Sequence, residues 1–355
     1  MKKIIVFASS TTIGGIERVL LTYAEGLADK KYDVTFLSAV DKSGLEISKY
    51  SNIKFHCLNV TRLRYTFWQL VKYFKKEKPD IIFTANDQTL IIFLAKMISC
   101  SAKLITSHHN YYEKNPEAKL RQWLIIKYIY PLCSNIIAVS DGIATMLNEQ
   151  FGINKEKIKT LYNPIDTSLI INLSKEKKND IPKNDFILFL GRLSAVKNLP
   201  LLLSAFALFN KKYKEISLLL IGDGEEKEKT LNLIKKMNLS DAVTLLGIRS
   251  NPYPYIKEAE IVVLSSISEA LPTVLLESML LGKTIVSTPT KGALDVLKNG
   301  KFGYISKSIK EINDYSEKLI MAYENPLEKE MLTNEVINNY NLEMKISEFE
   351  KIFYM

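Results

Sequence analysis

The segment of the chain best suited to chemistry lies in its second half, at residues 268–278. It reads Ser-Glu-Ala-Leu-Pro-Thr-Val-Leu-Leu-Glu-Ser and follows an apolar run that predicts a strand. A helix is expected to begin at Pro272, because proline lacks the N–H group that the first residue of a helix leaves unpaired. Leu271 cannot cap this helix, so the N–H groups of Thr273 and Val274 are left available to an anion such as a diphosphate.

Two glutamates flank this helix start. Glu269 precedes the helix and Glu277 lies about five residues inside it, so at about 1.5 Å per residue their carboxylates are offset by several ångströms. A carboxylate accepts paired hydrogen bonds from neighbouring hydroxyl groups. A sugar at one end, a ribose at the other and a diphosphate on the helix start would suit this arrangement. A surface helix with two solvated glutamates is the simpler alternative.

A second segment, residues 191–198, follows another predicted strand. Gly191 permits a sharp exit from that strand, and Arg192 and Lys197 then place two cations over the carboxyl edge of the sheet. The planar fork of arginine and the point charge of lysine are the usual partners of phosphate oxygens. A solvated basic turn is the alternative for this segment. A later pair of glycines, at residues 222 and 224, follows another predicted strand and mostly indicates a tight turn.

In the first half, a glycine pair follows the first predicted strand and opens a helix. The run Thr-Thr-Ile-Gly-Gly-Ile-Glu-Arg at residues 11–18 would let the backbone approach a phosphate at Gly14 and Gly15. Its spacing is not the G-x-G-x-x-G of dinucleotide-binding folds, and no acidic residue ends a second strand to hold a ribose. A dehydrogenase is therefore disfavoured.

Two histidines end a later predicted strand. His108 and His109 follow residues 103–106, where they would either bind a reacting sugar or form a structural turn. No Asp-x-Asp pair follows any predicted strand to hold a divalent metal against a diphosphate. We therefore expect neither a metal site nor a bound cofactor.

The elements that must position these residues are short β-branched runs alternating with amphipathic stretches, a pattern typical of βαβ units and parallel sheets. Two doubly wound, Rossmann-like α/β domains are predicted at 1–165 and 185–338, with a ligand cleft where the carboxyl ends of the sheets face each other. The polar, lysine-rich stretch 166–184 is interpreted as a linker. The expected strands are at 3–8, 33–38, 53–57, 80–83, 103–106, 135–139, 158–161, 185–190, 216–221, 242–246, 260–264 and 284–287.

Composition is that of an ordinary globular protein. The 355 residues are 47% hydrophobic and 25% charged, which excludes disorder and collagen-like structure. Cys57, Cys100 and Cys133 form no C-x-x-C pair and no closed disulfide framework, so a reducing cytoplasm is expected. The sequence shows no apolar run of about 18 residues and no signal peptide, and we expect neither a membrane span nor secretion.

The excess of positive over negative charge is confined to the first half. Residues 1–180 hold 26 Lys and Arg against 17 Asp and Glu, whereas residues 181–355 hold 22 of each, within a net charge of +9. This asymmetry indicates that one domain faces a polyanion. No nucleic-acid recognition motif accompanies it, so we do not expect nucleic-acid binding.

Residues 61–78 concentrate this basic charge and predict an amphipathic helix. Its apolar stripe either packs on the first domain's sheet, which we favour, or inserts into lipid. Another face would remain outside and bind anionic headgroups or a diphosphate. The stripe is Leu63, Phe67, Leu70, Val71 and Phe74, and the outer face is Arg64, Trp68, Lys72 and Lys75.

Together these segments resemble the retaining, GT-B-fold nucleotide-sugar glycosyltransferases of glycosyltransferase family 4. The resemblance covers nearly the whole chain, and Ala270 stands where the family usually has glycine. It implies that a last helix, within residues 339–355, crosses back onto the first domain. The motifs that carry the resemblance are Gly14-Gly15-x-Glu17-Arg18, His109-Asn110, Val139-Ser140-Asp141-Gly142, Asn163-Pro164-Ile165-Asp166, Gly191-Arg192 with Lys197-Asn198, and Glu269 with Glu277.

The resemblance implies a role for each site residue. Arg192 and Lys197 would neutralise the donor diphosphate and the departing nucleotide, Glu277 would bind the ribose and Glu269 the donor sugar. The other implied donor contacts are backbone N–H groups of Leu271, Thr273 and Val274, close approach at Gly15, and His109 near the 6-position of the sugar.

The sequence of residues 269–277 resembles the corresponding motif of bacterial transferases that extend lipid-linked glycans. The resemblance implies transfer of a hexosyl or N-acetylhexosaminyl unit from a UDP-sugar to a glycan on a polyprenyl diphosphate, by a peripheral protein on the inner face of the plasma membrane. A UDP-sugar epimerase of the same fold and a non-catalytic sugar-binding subunit are the alternatives. Retention of all four charged residues at 192, 197, 269 and 277 disfavours the non-catalytic subunit.

Overall fold

The computed structural model describes residues 1–11, 15–41, 51–111 and 120–354, and the chain divides into two compact units. Unit 1 comprises residues 1–164 and 342–355, and unit 2 comprises residues 165–341. Each unit is built around one parallel sheet. Gly14, part of the predicted glycine pair, lies outside the described residues.

The sheet of unit 1 has the strand order β3-β2-β1-β4-β5-β6-β7, and every pairing is parallel. Helices cover both of its faces, so its central strands are continuous apolar runs rather than alternating ones. In β1 the residues from Ile4 to Ala8 are all buried. The strands are β1 (Lys3–Ser10), β2 (Asp33–Val40), β3 (Lys54–Cys57), β4 (Ile81–Ala85), β5 (Lys103–His108), β6 (Asn135–Ala138) and β7 (Ile158–Thr160).

The helices of unit 1 connect these strands. A 3₁₀ turn, Leu63–Thr66, leads into α2, and α4 continues through a π-helical turn, Ile125–Ile129, into a 3₁₀ turn, Tyr130–Leu132. Ser140 caps α5, its hydroxyl accepting the N–H of Ile143. The helices are α1 (Gly15–Asp29), α2 (Phe67–Glu77), α3 (Gln88–Met97), α4 (Leu120–Leu124) and α5 (Asp141–Glu149).

Unit 2 repeats the architecture with a six-stranded parallel sheet of order β10-β9-β8-β11-β12-β13. The order reverses between β8 and β11, which makes this point the switch of a doubly wound sheet. The strands are β8 (Phe186–Leu190), β9 (Ser217–Ile221), β10 (Val243–Gly247), β11 (Ile261–Leu264), β12 (Thr284–Ser287) and β13 (Tyr304–Ile305). The helices are α6 (Thr167–Leu173), α7 (Leu199–Lys212), α8 (Lys227–Lys236), α9 (Tyr253–Glu258), α10 (Thr273–Leu280), α11 (Lys291–Val296), α12 (Ile312–Glu324) and α13 (Lys329–Tyr340).

The last helix, α14 (Leu342–Ile352), returns to unit 1 and packs beside α1. Phe349 packs against the rings of Tyr23 and Phe83, at centroid distances of 4.9 and 4.7 Å. Gly26 of α1 allows this approach, because a Cβ there would stand 2.4 Å from the side chain of Ile346. The fold class predicted from the sequence, two Rossmann-like units with a terminal helix that crosses back, is confirmed.

Two local predictions differ from the structure. The stretch 166–184, interpreted as a linker, begins with helix α6 and belongs to unit 2. Asp166 caps this helix by accepting the N–H of Leu169, a signal that the lysine-rich composition obscured. The two-residue strand β13 was not predicted, because its length is too short for any periodicity.

Candidate active site

The two charged segments of unit 2 meet at the switch point of its sheet. Residues 191–198 follow β8 and residues 265–272 follow β11, and these two strands are neighbours. The crevice beyond the carboxyl ends of strands at such a point is where doubly wound sheets bind ligands.

Lys197 and Glu269 form an ion pair in this crevice. The Nζ of Lys197 lies 2.6 Å from Oε1 of Glu269, and their side chains are only 19% and 16% exposed. Partial burial limits screening of the pair by solvent. The sequence predicted both residues as ligand contacts, and the structure brings them together at one site.

Neighbouring hydroxyl groups hold this pair in place. Ser266 donates a hydrogen bond of 2.6 Å to the same Oε1 of Glu269, and Ser265 donates one of 2.7 Å to the carbonyl of Lys197. Thr288, at the end of β12, donates to the carbonyl of Ser266 at 2.6 Å. These three buried residues were not singled out from the sequence, because serine and threonine at strand ends are common. The partners of Ser265 and Thr288 are also distant, at 68 and 22 positions along the chain.

Close backbone packing at three glycines fixes the loops around the pair. A Cβ at Gly222 would stand 1.9 Å from the carbonyl oxygen of Gly191, and one at Gly224 would stand 2.3 Å from that of Leu193. Gly292 donates its N–H to the carbonyl of Glu269 at 3.0 Å, and a Cβ there would stand 2.5 Å from the carbonyl oxygen of Ala270. The run at 222–224 therefore supports the loop that bears Arg192.

Arg192 lies at the exposed rim of the crevice. Its guanidinium binds Glu225 at 3.1 Å, and the two side chains are 73% and 54% exposed. Exposed ion pairs of this kind contribute little to stability, so a stronger anion can compete for the arginine. Arg192 and Lys197 are therefore two cations of different burial in one short segment.

Helix α10 begins one residue later than predicted. Pro272 is extended, with φ −77° and ψ 97°, and is the N-cap rather than the first helical residue. No side chain caps the helix, so the predicted uncapped start at Thr273 and Val274 is present. Glu277 lies in the following turn and is buried, with 8% of its surface exposed. Glu269 and Glu277 thus lie at different heights beside one helix start.

In unit 1, His109 follows the end of β5. Its ring Nε2 lies 2.8 Å from the Oγ of Ser107. Its backbone N–H donates to the side-chain Oδ1 of Asn86 at 2.9 Å. Burial lowers the pKa of His109 to about 4 and that of His108 to about 3, so both imidazoles are neutral at neutral pH. Asn86 was not singled out from the sequence, although its left-handed φ of 48° after β4 marks a constrained turn.

Three further predictions concern unit 1. Gly15 is the first residue of α1 and is exposed. Along α2, the side chains of Leu70, Val71 and Phe74 are buried, as favoured for the apolar stripe, whereas Leu63 and Phe67 are partly exposed. The predicted outer face is exposed throughout: Arg64, Trp68, Lys72 and Lys75.

Within the described ranges, no helix is long and apolar enough to cross a membrane. Among those same residues, no three His, Cys, Asp or Glu side chains come together in a group that would hold a metal ion. The three cysteines are present as free thiols.

Known proteins of similar sequence identify the family. The model of glycosyl transferases group 1 matches residues 171–339, and that of glycosyltransferase family 4 matches residues 13–169. The chain is 30% identical over 320 residues to an N-acetylgalactosamine-N,N'-diacetylbacillosaminyl-diphospho-undecaprenol 4-alpha-N-acetylgalactosaminyltransferase of Campylobacter jejuni, covering 86% of each protein. The chain belongs to the glycosyltransferase family that these two models describe. The family membership inferred from its motifs is confirmed.

A second relative is similar over the whole chain, and a solved structure has the same fold. The glycosyltransferase is 27% identical to a second Campylobacter jejuni enzyme, a GalNAc-alpha-(1->4)-GalNAc-alpha-(1->3)-diNAcBac-PP-undecaprenol alpha-1,4-N-acetyl-D-galactosaminyltransferase, over 99% of this chain and 96% of that one. The fold of the present chain is similar to that of Anabaena HepE, which was crystallised with UDP and glucose. The TM-score is 0.84 at 19% identity, over 100% of both chains.

Proposed function

We propose that this glycosyltransferase moves a hexosyl or N-acetylhexosaminyl unit from a UDP-sugar to a hydroxyl of a polyprenyl-diphosphate-linked glycan, with retention of anomeric configuration. The observation that carries the proposal is the Lys197–Glu269 pair at the switch point, beside the uncapped start of α10. It combines a cation for a diphosphate with a carboxylate for sugar hydroxyls. The names of the two Campylobacter relatives supply the class of acceptor.

Each residue has a role in this proposal. Lys197 and Arg192 stabilise the negative charge that develops on the leaving diphosphate, assisted by the N–H groups of Thr273 and Val274. Glu277, deeper on α10, binds the ribose, and Glu269 binds the donor sugar. In unit 1, Gly15 allows close approach to the donor, and His109, neutral at neutral pH, donates or accepts a hydrogen bond at the 6-position of the sugar.

We further propose that no metal ion or cofactor is required, because two cations and a helix start already supply positive charge to the diphosphate. Transfer in excess chelator tests this part. Full activity is expected, and loss of activity that Mg²⁺ or Mn²⁺ restores would contradict it.

The acceptor end is assigned to the exposed basic face of unit 1, formed by Arg64, Trp68, Lys72 and Lys75. These side chains bind phosphate groups, either of anionic headgroups or of the acceptor diphosphate, at the inner face of the plasma membrane. A triple Arg64/Lys72/Lys75→Glu variant should lose transfer to lipid-linked acceptor but keep hydrolysis of the donor. Acceptor in detergent and acceptor in vesicles separate the two sources: loss in both indicates the acceptor diphosphate, and loss in vesicles alone indicates headgroups.

The deciding experiment incubates the protein with a panel of nucleotide sugars and undecaprenyl-diphosphate glycans. Mass spectrometry identifies the product, and proton NMR of the new linkage reports its anomeric configuration. An α-linked product from an α-linked UDP-sugar is expected. Conversion of the UDP-sugar to its epimer without acceptor would instead establish an epimerase, and no turnover with any pair would contradict a catalytic role.

A further inference from the structure

Helix α3 of unit 1 presents an apolar ridge to solvent. Leu94, Met97 and Ile98 lie at spacings of three and four residues and are 45%, 63% and 51% exposed. Such spacing places them on one helix face. A helix that covers a sheet normally turns polar side chains outward, but Lys96 is the only charged residue of α3.

A second ridge runs beside the first, on the continuous helical segment 120–132. Leu120, Leu124, Tyr128 and Leu132 recur every four residues and are 60%, 42%, 57% and 60% exposed. Helix α3 contacts both the π-helical turn of this segment and α2. The two ridges therefore belong to one helical layer, which also bears the exposed Trp68 of α2. Large exposed apolar side chains gathered on one helical layer mark an interaction site.

The charges of this layer identify the partner. Residues 62–98 and 120–132 hold nine Lys and Arg against three Asp and Glu. The Nζ of Lys127 lies 4.5 Å from the ring centroid of Trp123, which combines a cation with an aromatic ring at the ridge. Apolar ridges bordered by cations and aromatic rings complement a bilayer of anionic lipids, where apolar side chains enter the acyl boundary and cations remain among the headgroups.

We propose that this layer inserts the ridges of α3 and of segment 120–132 into the acyl boundary of an anionic bilayer. The inference deepens the proposed function, since it specifies how a transferase acting on lipid-linked acceptors is held at their surface. It differs from headgroup binding by α2 alone in one measurable respect. Electrostatic attachment is screened by salt, whereas attachment through buried apolar area persists at high salt.

The test uses the whole protein and vesicles of phosphatidylcholine with phosphatidylglycerol. The two tryptophans of the chain, Trp68 and Trp123, both lie on this layer, so intrinsic fluorescence reports on it directly. We expect a blue shift of emission, quenching by acyl-brominated lipids and a vesicle-bound fraction that survives high salt.

Substitution of exposed apolar residues of α3 provides the second part of the test. Met97→Ser with Ile98→Ser should abolish the salt-resistant fraction and the acyl quenching without altering charge. Ile248→Ser, at a 74% exposed apolar position of unit 2, is the matched control and should change neither. Absence of quenching in the wild type, or retention of salt-resistant binding in the double variant, would overturn the proposal. A dimer that the same double substitution dissociates, without lipid quenching, would also overturn it in favour of a protein partner.

A water-soluble acceptor separates this inference from the proposed function. The Met97/Ile98 variant should match the wild type in transfer to a short-chain diphosphate-linked glycan in solution, and fall behind it only on vesicles. Equal loss on both acceptors would overturn membrane insertion as the role of the ridge. Failure of the wild type on every acceptor would contradict the proposed function while leaving the vesicle result intact.

Discussion

The ammonium of Lys197 lies 2.6 Å from Oε1 of Glu269, although the two residues are 72 positions apart in the chain. Each extends from a loop after one of two neighbouring parallel strands, β8 and β11. The same Oε1 also accepts the hydroxyl of Ser266. The carboxylate that we assign to the donor sugar and the cation that we assign to the diphosphate are thus fixed relative to each other before either binds its target.

Removing either cation should greatly reduce turnover. Arg192→Ala and Lys197→Ala are each expected to lower kcat by about 100- to 1,000-fold, the usual effect of losing one electrostatic contact to a developing charge. Steady-state assays at saturating donor measure this effect. Lys211→Ala, an exposed lysine of α7 in the same unit, is the control and should be near normal. Near-normal turnover in both site variants would refute the assignment of the diphosphate to this loop.

The two glutamates should separate binding from catalysis. Glu277→Gln should mainly raise the KM for the donor, because ribose contacts are similar in the ground and transition states. Glu269→Gln should also lower kcat, because the sugar it contacts is the group that reacts. Steady-state kinetics of both variants, with circular dichroism to verify folding, gives the comparison. The opposite pattern would mean that ribose and sugar are exchanged along α10.

Ser266 should behave as a positioning residue for Glu269. Its hydroxyl is fully buried, so Ser266→Ala removes a hydrogen bond to a charged group, worth about 1.5 kcal/mol. We expect kcat to fall about tenfold, with the donor KM little changed and the melting temperature lowered by only a few degrees. Ser278→Ala is the matched control, since that buried serine bonds the carbonyl of Val274 within α10. Equal losses in both variants would indicate a general packing defect.

The two buried histidines of unit 1, His108 and His109, should make stability fall as pH falls. The pKa values of His108 and His109 are lowered to about 3 and about 4 in the folded chain, so the unfolded chain binds more protons. The stability contributed by the two neutral imidazoles is therefore complete above the unfolded pKa near 6.5 and declines as the pH falls from there toward the folded pKa values.

Melting temperatures between pH 7 and pH 5 measure this effect. His109→Gln should reduce the pH dependence, and its amide can still bond Ser107. His56→Gln, at an exposed position of β3, is the matched control from the same unit. His108, the remaining histidine of the three, is unchanged in both variants. An unchanged slope in the His109 variant would contradict the neutral, buried state of this imidazole.

The sequence by itself determined where the strands lie and which two charged segments carry the candidate site. All twelve predicted strands are present with ends within two residues, because buried parallel strands are local apolar runs bounded by turns. The motifs at residues 191–198 and 268–278 were recognisable for the same reason, since a loop, a helix start and their charges are adjacent in the chain. Proline placement, however, located the start of α10 only to within one residue.

Only the tertiary structure decided which of these groups meet and what supports them. Thr288 and Gly292 reach the loop of Glu269 from other parts of the chain, Thr288 by bonding the carbonyl of Ser266 and Gly292 by bonding that of Glu269. Ser266 lies in the same loop as Glu269, and no local pattern distinguishes any of the three from ordinary residues at the ends of strands and helices. The apolar ridge of α3 is likewise invisible in the sequence, because a buried and an exposed face of apolar residues give the same composition. Periodicity records which residues share a face, whereas burial depends on what the fold packs against that face.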